Sequence, residues 1–157
     1  MHAGDHGPTP DRILGRWRIV CSTFPMWLSG RRENAAFTYA ALPPSSRGEA
    51  RLADEVSYES GGRTRRILGV DTHLTARPGL VFRWRGRGVL RPLSSEWRVT
   101  ELAPDGSWAV IEFSKSMVTP AGTDVVVRAD SEGDPDVLAE ARRVGARLEA
   151  PEVPGWA

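Results

Sequence analysis

Eight short runs rich in β-branched and aromatic residues, with no helical pattern between them, constrain this chain more than any other feature. They are Trp17–Phe24, Ala35–Leu42, Arg51–Glu59, Arg63–Thr72, Leu80–Arg85, Ser95–Leu102, Ser107–Lys115 and Thr123–Ala129. Clusters of Gly, Pro, Ser and Asn separate them, as expected between strands. Ser60-Gly61-Gly62 and Ala103-Pro104-Asp105-Gly106 carry hairpin chemistry. Consecutive hairpins build an up-and-down antiparallel sheet. At eight strands, closure removes both edges and leaves an interior just wide enough for one small ligand. The predicted fold is therefore all-β, an eight-stranded up-and-down antiparallel barrel with one C-terminal α-helix packed outside. Asp134 caps that helix, Pro135 takes its first turn, and Val137, Leu138, Ala141, Val144 and Leu148 form its apolar stripe.

A chain of 157 residues is expected to be one domain. Residues 1–8 read as a flexible tail, 9–150 as the barrel with its helix, and 151–157 as a second, irregular tail. Thr9 and Pro10 give a helix start with room for only a short turn before Gly15. The net charge of +1 supplies no global attraction to nucleic acid or membrane surfaces. All basic residues except Lys115 are Arg, a bias that a GC-rich genome also produces. Cys21 is the only cysteine, so no internal disulfide forms. Met1–Pro10 is polar and lacks the apolar core of a secretory signal, and no run is long enough for a membrane span. The expectation is a cytoplasmic protein.

Gly15 and Trp17 open the first strand run, and Arg128 closes the last. In a closed barrel those strands are neighbours. A guanidinium there can lie over the indole face, a contact worth roughly 0.5–2 kcal/mol. That pair plugs one end and leaves the other open as a cup.

On these residues the chain resembles the lipocalins of the calycin superfamily, as an intracellular, bacterial-type member. The family opens with Gly-x-Trp after a short helical turn, runs through eight up-and-down strands, and ends with an Arg on the last strand before a C-terminal helix. Gly15, Trp17 and Arg128 match those positions. Ala103–Gly106 followed by Ser107-Trp108 lies where the family's middle motif does, with Trp in place of the usual Tyr. Most members are secreted and carry a disulfide, which Cys21 alone cannot make. The resemblance thus implies the fold more than it implies transport outside the cell. Fatty-acid-binding proteins are related cups with ten strands.

With Trp17 at the closed end, strand direction places 25–34, 59–63, 85–95 and 115–122 at the mouth. Arg31, Arg32, Arg63, Arg85, Arg87, Arg91 and Lys115 fall there, and a basic rim would favour a ligand with an acidic head. A merely solvated Arg-rich surface is the competing reading. Met26, Trp27 and Leu28 are expected either as a lid or as a contact in a homodimer. Alternation assigns the ligand-binding wall to Cys21, Trp27, Phe37, Tyr39, Tyr58, Leu68, Phe82, Trp84, Trp97 and Val99. Such a wall suits an aromatic or polyene body, unless these side chains fill the barrel completely.

Conventional catalytic constellations are absent from the sequence. His2 and His6 lie in the N-terminal tail and His73 in a closed-end loop, with no Ser/His/Asp pattern. Metal-ligand spacing is also absent, and no cofactor or metal is expected. Two functions stay open. One is binding of a small hydrophobic molecule, with or without an acidic head. The other is a cofactor-independent cyclase or isomerase of a natural-product pathway, holding a flexible polyketide- or terpenoid-like intermediate in a reactive shape. Tyr39, Tyr58, Asp124 and Cys21 are its candidate catalytic groups.

Overall fold

A computed structural model describes residues 7–117 and 120–156. His2, His6 and the rest of 1–6, two positions of the 115–122 mouth loop, and residue 157 lie outside the described residues. The strands are β1 (Gly15–Ser22), β2 (Glu33–Leu42), β3 (Arg51–Ser60), β4 (Arg63–His73), β5 (Leu80–Gly86), β6 (Ser94–Leu102), β7 (Trp108–Phe113) and β8 (Gly122–Arg128). Each pairs antiparallel with the next, and β8 returns to β1, closing the barrel. Two helices accompany it, the one-turn α1 (Pro25–Leu28) and α2 (Pro135–Arg147).

Closure is fixed at one end by the expected pair. Trp17 lies opposite Arg128 in the ladder, and the guanidinium sits 4.2 Å above the indole ring. Arg128 also donates to the carbonyls of Gly106 (2.9 Å), Leu14 (2.5 Å) and Arg12 (2.5 Å). The Trp17 indole N–H donates to the Ile13 carbonyl at 2.9 Å, tying the first short turn beneath the barrel. Three segments distant in sequence are thus held by two side chains.

Helix α2 covers the outside of β1, β7 and β8. The Asp134 carboxylate accepts from the backbone N–H groups of Asp136 and Val137, satisfying donors that a helix start leaves free. Its stripe packs on Val20, Cys21, Val110, Val125 and Val127.

Strand β1 departs from simple alternation. A bulge between Ile19 and Cys21 leaves Val20 as the extra residue in the pairing with β8. Ile19 belongs to the interior cluster, whereas Val20 and Cys21 both join the layer under α2. Beyond the bulge the parity is inverted, so Ser22 stands opposite Asp124. The segment after α2 is also no loose tail. Pro151 accepts from the Ser22 backbone N–H, Val153 donates to Val20, and the Trp156 indole donates to the Ile19 carbonyl at 2.9 Å. Arg18 lies over the Trp156 ring at 4.4 Å. An isolated bridge between Cys21 and Glu152 and these hydrogen bonds tie the otherwise irregular segment 151–156 to β1.

Candidate functional site: an aromatic cup with buried carboxyls

The open half of the barrel encloses a cavity of about 350 Å³. Its floor is a stack of three rings in which Trp97 lies between Tyr39 (centroids 5.2 Å apart) and Phe82 (4.6 Å). Phe37, Phe113, Val56, Ile67 and Trp84 form the walls, and Phe24, Met26 and Trp27 close over them from α1 and the residue before it. Trp27 is buried and meets the Tyr58 ring edge-on at 5.6 Å. The apolar loop therefore turns into the barrel as a lid.

Two wall positions are acidic. Asp54 on β3 and Asp124 on β8 line the cavity, and a third carboxyl, Asp71 on β4, is buried beside Asp54. The Trp97 indole N–H donates to Asp71 at 2.9 Å. One oxygen of Asp54, one of Asp71 and both of Asp124 have no hydrogen-bond partner. Removing a carboxylate from water without compensation disfavours its charged form. Burial accordingly pushes Asp54 up to about 6, opposed by its hydrogen bond with Asp71. Asp71 is raised as well, by burial first, then by the charge of Asp54 and the bond between them; Trp97 opposes this. Burial raises Asp124 to about 7, with nearby Ser22 pulling the other way. The Tyr39 hydroxyl is raised by burial first and then by the charges of Asp54, Asp71 and Asp124.

Of the side chains expected on the wall, Trp27, Phe37, Tyr39, Trp84 and Trp97 line the cavity. Phe82 belongs to the ring stack but is fully buried and does not itself line the cavity, and Val99 packs in the same cluster without lining it. Tyr58 supports the lid from the side, under the Arg32 guanidinium at 5.1 Å. Cys21 faces away from the cavity because the bulge turns it outward. It packs against Gly145 of α2, where a Cβ would fall 2.5 Å from the sulfur. Burial raises its thiol to about 11, so it carries almost no thiolate near neutrality and is a poor nucleophile. Leu68 is exposed on the outer wall.

Strand β4 runs in the parity opposite to the one its apolar residues implied. Ile67, Gly69 and Asp71 face inward, and Leu68 and Val70 face out. The reason is steric. A Cβ on Gly69 would lie 2.0 Å from Nε1 of Trp84, so the glycine makes the seat for that indole. Gly69→Ala is expected to cost about 1–3 kcal/mol through overpacking and to move the Trp84 fluorescence. Unchanged melting and emission would show that the seat is not tight.

The predicted rim is also redistributed. Arg85, Arg87 and Arg91 line a groove on the outer wall together with Arg51 and Arg83, because Arg83 and Arg85 alternate with the inward Phe82 and Trp84. Lys115 lies in another surface groove. Among the described residues, no Arg, Lys or His lines the cavity. Nor do they hold a cluster of three or more potential metal ligands, or a helix long and apolar enough to cross a membrane.

Closed up-and-down topology, the Trp17–Arg128 plug and the outer helix together define a lipocalin-like fold. The chain is similar to a solved structure of the siderocalin Ex-FABP, described as functioning through dual ligand specificities. The TM-score is 0.62 at 16% identity, covering 93% of this chain and 96% of that one. It is also similar to a deswapped triple mutant of bovine odorant binding protein, with a TM-score of 0.50 at 13% identity over 88% of each chain. At such identities the likeness is one of fold. No family model and no curated protein matches the sequence.

Proposed function

We propose that the protein holds a small hydrophobic molecule with an aromatic or polyene body inside the barrel. The observation that carries this reading is the cavity of about 350 Å³, walled by aromatic rings and roofed by α1. Its size lies within the range of small-molecule sites, and ring faces supply both area burial and stacking. The two similar structures support it by analogy, since one is of a siderocalin with dual ligand specificities and the other of an odorant binding protein. The lid reading of Met26 and Trp27 is favoured over a homodimer contact, because both side chains line the cavity.

A second reading rests on the carboxyls. Asp54 and Asp124 face an apolar cavity with proton affinities near neutrality, the condition for general acid–base work. They would let the cup act as a cofactor-independent cyclase or isomerase, with Tyr39 beside them. A cytoplasmic setting suits either role. Native mass spectrometry of protein purified from its own host, set against the denatured mass, tests the first. A bound mass released on denaturation is expected. An empty barrel that converts a linear candidate substrate faster than buffer does, and slows on Asp124→Asn, would favour the second reading.

A further inference from the structure

We infer that the molecule bound in this cup carries a protonated nitrogen on an aromatic or otherwise hydrophobic body. The inference rests on the cup reading and narrows it to amines, in place of the acidic head that the sequence favoured.

Three observations converge. First, Asp54 and Asp124 belong to the cavity lining while 6% and 0% exposed, and each has a buried oxygen with no hydrogen-bond partner. Buried polar groups are nearly always satisfied, and an orphaned acceptor costs about 1–3 kcal/mol or more if charged. A ligand ammonium supplies what is missing, both the N–H donors and the opposite charge. Second, the rest of the wall is built from ring faces, chiefly Trp27, Phe37, Tyr39, Trp84, Trp97 and Phe113. The negative face of an aromatic ring attracts a cation, most strongly in a desolvated site, and it offers nothing comparable to an anion. Third, among the described residues no basic side chain lines the cavity, so an acid entering it meets two carboxyls and no counter-charge. The outward turn takes Arg85, Arg87 and Arg91 away from the cavity, while Arg32 stays outside it over the Tyr58 ring.

The groups that set this site's charge come from several strands. Asp124 faces Ser22 of β1 in the ladder, and Tyr39 of β2 feels the charge of Asp124, of Asp54 of β3 and of Asp71 of β4. Asp54 faces Tyr39 on one side and Asp71 on the other. All are acids or neutral hydroxyls, so amine binding proceeds with release of protons from the carboxyls. Affinity for an amine that stays protonated therefore rises as the pH is raised from 5 to 8.

Four probes of nearly equal size test this: 2-phenylethylamine, 2-phenylethanol, propylbenzene and 3-phenylpropionate. Binding is followed by calorimetry and by tryptophan emission. The amine is expected to bind at least tenfold more tightly than the other three, and more tightly at pH 8 than at pH 5. Asp124→Asn and Asp54→Asn should each weaken the amine about tenfold and leave propylbenzene within twofold. Binding of propylbenzene or 3-phenylpropionate at least as tight as that of the amine overturns the inference and leaves the cup standing. So does amine affinity that both variants retain. Failure of all four probes to bind removes the cup reading as well.

Discussion

Asp124→Asn is expected to leave stability nearly unchanged at pH 4 and to raise it by roughly 4 kcal/mol at pH 8. Burial holds the Asp124 carboxyl at about 7, against 3.8 for an ordinary aspartate. Between those values the folded protein keeps a proton that the unfolded chain has released. The parent is therefore at its best, as far as this group is concerned, below about pH 4. It loses that contribution as the pH climbs through the folded value. Each pH unit between the two values is worth about 1.4 kcal/mol. Asparagine matches the neutral acid in shape and cannot ionise, so it escapes the loss. Denaturant titrations of both proteins at pH 4, 6 and 8 measure the difference directly. Parallel stability profiles would mean that water reaches Asp124 freely. The same cost makes a cationic guest welcome, since it would return to the carboxylate what burial withholds.

Trp17→Ala is expected to lower stability by about 3–5 kcal/mol, the usual range for emptying a large buried aromatic site. Trp17 is 1% exposed, its indole N–H fastens the Ile13 carbonyl, and its ring carries the Arg128 guanidinium. Removing it leaves a cavity, an unpaired carbonyl and a guanidinium without its platform. For a chain of this size the melting temperature should fall by about 10 °C. Arg128→Lys is a milder companion: it keeps the charge but cannot reach the Gly106, Leu14 and Arg12 carbonyls together in the planar arrangement of a guanidinium. Parental melting of Trp17→Ala would show that the plug does not hold the barrel shut.

The barrel was legible because each strand run is bounded by turn chemistry, and because Gly15, Trp17 and Arg128 sit at its two ends in sequence. The mouth followed from strand direction, and the lid from five largely apolar residues, Phe24–Leu28, in a connection. The wall was less legible, for a reason tied to parity. On β1 the bulge at Val20 inverts the alternation, and a bulge leaves no clear mark in composition. On β4, Leu68 and Val70 are the apolar pair, yet they face solvent while Asp71 is buried. The signal that could have corrected this is Gly69. A glycine inside a strand marks a close approach, here by Trp84. Asp54 was within reach too, since on β3 it shares its face with Tyr58, already assigned to the wall. An acid on an apolar face is easily passed over, because burial of charge is the exception that a hydrophobic pattern cannot encode.

The Trp17–Arg128 junction joins the first strand to the eighth, so the strand pairing most distant in sequence is also the one that completes the ring. Chains dominated by such long-range pairing fold slowly, because loop entropy is lost before the contact rewards it. A nascent chain emerging from the ribosome cannot shut the ring until β8 is out. Until then β1 has a bare edge along the side β8 will occupy, and the aromatic interior stands open to water. Hydrophobic strand edges exposed for that long invite pairing between chains. Expression yield should thus depend on how quickly the two ends of the ring find each other.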